Sequence, residues 1–350
     1  MGSPPEHAER SVVEPQDPRP ASLVRRQAAG RSALAPRWPD RPIGLSSRRL
    51  VGLLDLRDET LERDASTADC IGYMARLLIQ TTLPHRNPGN VPVWTRTNGN
   101  FTLQITPGYS LASASRPSRP LGIPFGVYPR LVFTYLTSEA VRTRSAEIYL
   151  GRSFSEFIRR LGLDVRGGER GTIGRLKDQL ARLTRATIDW SYVEGNTELS
   201  EGIRPIEGSY TFWDAARPSS EAIWPSSVSL NARLFDELIR APVPIDMRVV
   251  QQLSHLRSPM AMDIYQWLTY RQYRLLESGR PRVVIPWDSL AGQFGAGYRR
   301  IRAFKSSFVE ALRIVLVVYP GGSAAPTDPG LLLTPGRPHV PHTHSRPQEC

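Results

Sequence analysis

The sequence predicts an α+β protein built from tandem winged-helix units, each a helix-turn-helix with a β-hairpin behind it. Three observations lead there. From residue 125 onward one order of elements (helix, strand, short helix, long helix, strand pair) occurs twice. The only two lysines, Lys177 and Lys305, coincide when one unit is laid on the other at an offset of 128 residues, and Leu176, Leu180, Arg185 and Ile188 then fall on Phe304, Phe308, Arg313 and Leu316. Prolines, finally, crowd the ends: of 31 in 350 residues, eight lie in 1–42 and seven in 320–350. This marks a disordered N-terminal arm over 1–45 and a disordered C-terminal tail over 336–350.

Between the ends, the elements follow in order. Residues 46–124 form a helical and hairpin segment. Ile71, Met74, Leu77 and Leu78 make a helical stripe that predicts a helix over 67–82. Two strand-like runs in 91–107 flank Asn98-Gly99-Asn100, where Asn-Gly supplies the positive φ of a tight turn. Residues 108–124 read as a loop. The first winged-helix domain spans 125–215. Its helix is 129–144, its strand 147–151 and its short helix 153–162, capped by Ser153 or Ser155. Its long helix is 172–186, and a hairpin of 187–193 with 209–213 closes it. The second domain spans 216–335. Its helix is 261–276, its strand 282–287, its short helix 288–295 and its long helix 298–315, followed by strands at 316–320 and 331–335.

Charge indicates the partner. Lys and Arg number 45 against 33 Asp and Glu, a net charge of +12. A chain this basic is drawn to polyanions, nucleic acid or an acidic membrane, and the winged-helix plan makes double-stranded DNA the expected partner. Both long helices are locally positive: 168–187 holds five basic and two acidic residues, and 297–313 five basic and one acidic. At 100° per residue, Ile173, Leu176, Leu180 and Leu183 form the core face of the first helix, and Ile301, Phe304, Phe308, Leu312 and Val315 that of the second. The opposite faces and their flanks give the candidate DNA-binding residues: Arg170, Arg175, Lys177, Arg182, Arg185, Arg299, Arg302, Lys305, Ser306 and Arg313. Arginine's planar fork suits guanine or phosphate, and a wing hairpin would touch the backbone or the minor groove.

Catalytic motifs are missing. Phe304, not Gly, precedes Lys305-Ser306, so there is no Walker-type loop. Gly295-Ala296-Gly297 lacks the third glycine of a dinucleotide fingerprint and follows a helix. Asp-x-Asp, Gly-x-Ser-x-Gly and His-Glu-x-x-His are absent. His339, His342 and His344 sit in a Pro-rich stretch without a carboxylate pattern, so no metal and no cofactor is expected. Trp190, Tyr192, Trp213, Trp267 and Trp287 read as packing residues. Two cysteines, Cys70 and Cys350, exclude a disulfide framework and suit a reducing cytoplasm. The apolar run 314–319 is too short to span a membrane, and no signal peptide is legible. The expectation is a cytoplasmic, DNA-binding protein that is not an enzyme.

The segments LLIQTTLPHRNPG, WTRTNGNFTLQI, GIPFGVYPRLVFTYLTSEAVRTRSAEIYLGRSFSEFIRRLGL, GGERGTIGRLKDQLARL, SPMAMDIYQWLTYR and IPWDSLAGQFG together resemble the plasmid-encoded RepA replication protein family, from about residue 70 to 335. The resemblance implies a plasmid replication initiator. It would bind repeated sequences at the origin, promote opening of an AT-rich region and recruit host initiator and helicase proteins. No catalytic residues carry over. A homodimer stays open, since no coiled-coil seam decides the oligomeric state. A winged-helix transcriptional regulator shares every physical feature above, and a DNA-nicking or primase enzyme is the alternative from another class.

Overall fold

The computed structural model describes residues 43–80, 82–112, 117–168, 171–194, 197–210, 213, 217–222, 226–295 and 297–340. These residues belong to one unit, which begins at Ala33. Helices and antiparallel sheets mix along the chain, which makes the fold α+β. Residues 1–42 of the expected arm, and 341–350 of the expected tail, lie outside the described residues.

Helix α1 (Ser47–Glu62) opens the described fold and buries Leu53 and Leu56, three positions apart on one stripe. Strand β1 (Ile71–Met74) and the short α2 (Arg76–Gln80) replace the single helix expected over 67–82. Tertiary pairing overrides the helical spacing here. Ser138 Oγ accepts from Tyr73 N–H at 2.9 Å, and Thr137 Oγ1 donates to the Tyr73 carbonyl at the same point of the strand. A Cβ on Gly72 would lie 2.5 Å from Met247 Sδ. The backbone groups of this stretch are therefore used by a neighbouring helix and by a partner strand, and helix resumes only at Arg76.

Strands β2 (Trp94–Asn98) and β3 (Phe101–Thr106) form the expected hairpin, with Gly99 at φ +58° in the turn. Next comes the first repeat: α3 (Val127–Thr143), β4 (Glu147–Gly151), α4 (Phe154–Arg160) and α5 (Thr172–Arg185). Ser153 caps α4, its Oγ accepting from Glu156 N–H at 3.1 Å. The hairpin after α5 differs from expectation. β5 (Thr187–Glu194) pairs with β6 (Thr197–Ile203), within the stretch expected to be a polar loop. The acidic composition of 194–201 hid that strand. The expected partner contributes only β7 (Ile206–Tyr210), which pairs with β8 (Ser226–Leu230). Two sheets result, of order β2-β3-β5-β6 and β4-β8-β7.

Helix α6 (Ala232–Arg240), strand β9 (Val243–Asp246) and helix α7 (Met247–His255) occupy a stretch that the sequence pattern left blank. β9 pairs with β1. The second repeat then runs α8 (Pro259–Glu277), β10 (Val283–Pro286), α9 (Trp287–Phe294), α10 (Ile301–Val318), β11 (Ala324–Pro326) and β12 (Gly330–Leu333), with sheet order β10-β12-β11. The strand expected at 316–320 is instead the last turn of α10 and its exit. Val315 and Val318 are buried there on the helical period, so core packing prevails over β-branched preference. Residues 336–340, expected in a disordered tail, are packed against the fold. Gly336 N–H donates to Gln272 at 2.8 Å, Tyr319 donates to the Arg337 carbonyl at 2.9 Å, and Val340 is buried.

One hydrophobic core runs through both repeats, from Leu131 and Phe157 to Phe308 and Leu331. A second, smaller one lies under the four-stranded sheet and contains Leu103, Ile105, Ile188 and Tyr192. A buried ion network ties the repeats together. Arg130 of α3 grips Asp263 of α8 through two 2.7 Å bonds, and His85 reaches the same carboxylate at 2.8 Å. Burial opposes the charge on Asp263, but Arg130 and the hydrogen bonds from His85 and Arg130 outweigh it and hold the carboxyl below its ordinary pKa.

Candidate nucleic-acid interface

The second long helix is presented by an aromatic scaffold. Phe294 of α9 meets Trp267 of α8 edge-on, with centroids 5.5 Å apart, and Phe308 of α10 at 5.4 Å. Trp287 Nε1–H donates to the Thr327 carbonyl at 3.0 Å, fixing α9 on the β11–β12 hairpin. The turn into α10 needs glycine twice. A Cβ on Gly295 would lie 2.6 Å from the Ala291 carbonyl, and Gly297 has φ +94°. The C-terminal half of α10 is enclosed, with Val309, Ala311, Leu312, Ile314, Val315 and Val318 all buried. Helix α1 packs on it, and Glu310 accepts a hydrogen bond from Gly44 N–H. Only the N-terminal end faces outward.

That end carries Arg299, Arg300, Ile301, Arg302 and Ser306, all exposed. Arg300 was not among the candidates and joins them here as the N-cap residue, with no side chain capping the helix. The dipole's positive end therefore lies within a run of three exposed arginines, an arrangement suited to an anion. Lys305 is half-buried, its ammonium 5.3 Å from the centre of the Trp287 ring. Arg313 is half-buried three residues beyond Glu310.

Helix α5 presents less. Leu176, Gln179 and Leu183 are buried, and Gln179 Oε1 accepts from Phe125 N–H at 2.8 Å. Lys177 and Arg185 are exposed and Arg175 is half-buried. Arg182 turns inward. It donates to the Ile123 carbonyl at 3.2 Å, lies 2.9 Å from the Asp178 carboxylate and stacks 5.2 Å from the Phe125 ring centre. Arg170 lies outside the described residues. The described candidates thus fall on two helices: Arg299, Arg302, Lys305 and Ser306 at the start of α10 with Arg313 in its enclosed half, and Arg175, Lys177 and Arg185 along α5, with Arg182 used inside the fold. Neither hairpin adds positive charge. Residues 187–203 hold four acidic residues and no basic one, and Asp328 is the only charged residue in 324–333.

Sequence reasoning missed Arg96. It lies on β2 among Thr and Trp, with 3 % of its surface exposed. Its Nη1 donates to Thr82 Oγ1 at 2.8 Å and to the Gln293 carbonyl at the end of α9, while its Nε and Nη2 are buried without a hydrogen-bond partner. Burial pulls its pKa down to about 10, still charged at neutral pH. Strand alternation held the signal, because Trp94, Arg96 and Asn98 must share one face. Of the three clustered histidines, His339 is half-buried and bonded to Tyr265, and His342 and His344 lie outside the described residues. No group of three or more His, Cys, Asp or Glu able to hold a metal occurs among the described residues. No helix among them is long and apolar enough to cross a membrane.

Comparison with known proteins finds one family model and two solved structures that this chain resembles. Crystal structures of domains 2 and 3 of RctB are similar at 12% and 13% sequence identity. They cover 68% of this chain and 81% and 82% of those chains, with a TM-score of 0.43 in each case. No curated protein matches. The family described as plasmid-encoded RepA protein matches residues 123–289, from just before α3 to the first turn of α9, and over that span the chain is similar to it.

Proposed function

We propose that this protein is a plasmid replication initiator that binds repeated duplex sequences at an origin. In this reading it promotes origin opening there and recruits host replication proteins, the host initiator and helicase among them. The two repeats act as winged-helix domains, 125–215 and 216–335, with α5 and α10 as their recognition helices. In the second repeat, helix, strand, two helices and a hairpin occur in the order of a winged helix, and β10 joins the hairpin as its third strand. The similarity of residues 123–289 to the plasmid-encoded RepA family supports the initiator role.

One observation carries the DNA assignment: α10 is enclosed along its C-terminal half and offers only an arginine-rich N-terminal end to a partner. A helix entering the major groove reads base edges from that end. The test is a footprint on the DNA flanking the gene, at two salt concentrations. Regularly spaced protected repeats that survive moderate salt are expected, with Arg302→Ala weakening binding by about 1–3 kcal/mol. Diffuse protection that vanishes with salt would mean that net charge alone makes the contact.

A further inference from the structure

The four-stranded sheet β2-β3-β5-β6 has its own small core and touches both proposed reading heads. At one side, α5 runs into β5 across a single residue, Ala186, which is buried in that core. At the other side, β2 lies on α9. A Cβ on Gly292 would lie 3.1 Å from the Thr97 carbonyl, so helix and strand are in close contact there. Arg96 sits in this joint. Its guanidinium binds the Gln293 carbonyl in the last turn of α9, and α10 is the next element of the chain. The contact is reinforced on both sides. Thr82 Oγ1 donates to the same Gln293 carbonyl at 3.1 Å, and Gln293 Nε2 donates to the Ile79 carbonyl at 2.9 Å.

Stability alone gives Arg96 little reason to be there. Its guanidinium lies 5.1 Å over the centre of the Trp94 ring, a favourable cation–π contact, but two of its nitrogens have no hydrogen-bond partner. Asp263 attracts it only from a distance, since that carboxylate is already held by Arg130 and His85. Burying a charge with no carboxylate in contact costs free energy, which these contacts offset only in part. What it does supply is direction: a rigid, planar donor that fixes one strand against one helix end. We infer that Arg96 is a positioning residue that sets the spacing between the two DNA-reading helices, through the path α5, β5, β3, β2, Arg96, α9, α10. The inference rests on the DNA-binding reading above, and the ligand class is a duplex with two half-sites at one fixed separation.

The experiment selects a duplex from a random-sequence pool with the full-length wild-type chain and footprints it. Affinity is then measured for derivatives with one or two base pairs inserted or removed between the half-sites. One inserted base pair is expected to weaken wild-type binding about tenfold, since it rotates one half-site against the other. Arg96→Met is expected to fold, bind the parent site and lose most of that discrimination, while Arg96→Lys restores part of it. Near-ultraviolet circular dichroism checks folding, and Thr82→Val, which removes one acceptor of the guanidinium, is the second variant should Arg96→Met not fold. It is expected to relax the spacing preference by a smaller amount. An unchanged spacing profile in the folded variants overturns the inference and leaves the DNA-binding reading standing. A selected site with a single half-site overturns it in the same way. A pool from which nothing is enriched overturns both.

Discussion

His339 shows how a single side chain, sheltered from water, makes stability depend on pH. It shares a 2.8 Å hydrogen bond with the Tyr265 hydroxyl, which also accepts from Asp246 N–H at 2.9 Å, and it packs against the Tyr319 ring. Loss of solvent around the ring drives its pKa from 6.5 down to about 4, with Asp246 opposing the shift and Arg248 adding to it. Above the unfolded value both states are neutral and the residue contributes nothing to pH dependence. As pH falls below it, the unfolded chain takes up a proton that the folded chain refuses, so stability is lost progressively until about pH 4. The full loss is about 3 kcal/mol. Urea midpoints between pH 7.5 and 4.5 are expected to fall for the wild type and to fall less for His339→Gln. Parallel curves would remove His339 as the cause.

At the scale of the element, the two long helices look alike in sequence and differ in what they offer. Arg182 of α5 has its guanidinium on Ile123, Asp178 and Phe125, whereas Lys177 on the same helix is exposed. Arg182→Ala is therefore expected to destabilise the fold by about 1–2 kcal/mol, through lost packing and a lost charged hydrogen bond, with little change in the salt dependence of DNA binding. Lys177→Ala is expected to leave stability within about 0.5 kcal/mol and to reduce the salt slope by about one if it meets a phosphate. Denaturant titration beside binding at several salt concentrations separates the two. The periodicity of both helices was legible because Leu176 and Leu183, like Phe304 and Phe308, recur at helical spacing. Which arginine turns inward was not legible, since that depends on the loop carrying Ile123 and Phe125. The hairpin β2–β3 was legible from Asn-Gly, and α4 from its cap. β1 and β6 were not: one is held by side chains of α3, and the other is rich in acidic residues that local propensity assigns to a loop.

At the scale of the molecule, two repeats in sequence do not make two independent folding units. The main core includes Leu131 and Phe157 of the first repeat and Phe308 and Leu331 of the second. β9, which lies within 216–335, has its partner in β1, near the start of the described chain. Asp263 of α8 has its cation on α3, and the enclosed half of α10 is covered by α1. A fragment comprising residues 216–350 would lose all of these at once: the strand that pairs with β9, the guanidinium that balances a buried carboxylate, and the helix that covers α10. Leaving Asp263 buried without Arg130 alone costs about 3–5 kcal/mol, a large share of the stability of any domain. The fragment is expected to lack a cooperative melting transition and to be degraded rapidly by protease, while the full-length chain unfolds in one transition. A fragment that melts cooperatively and resists protease would show instead that the second repeat is a folding domain in its own right.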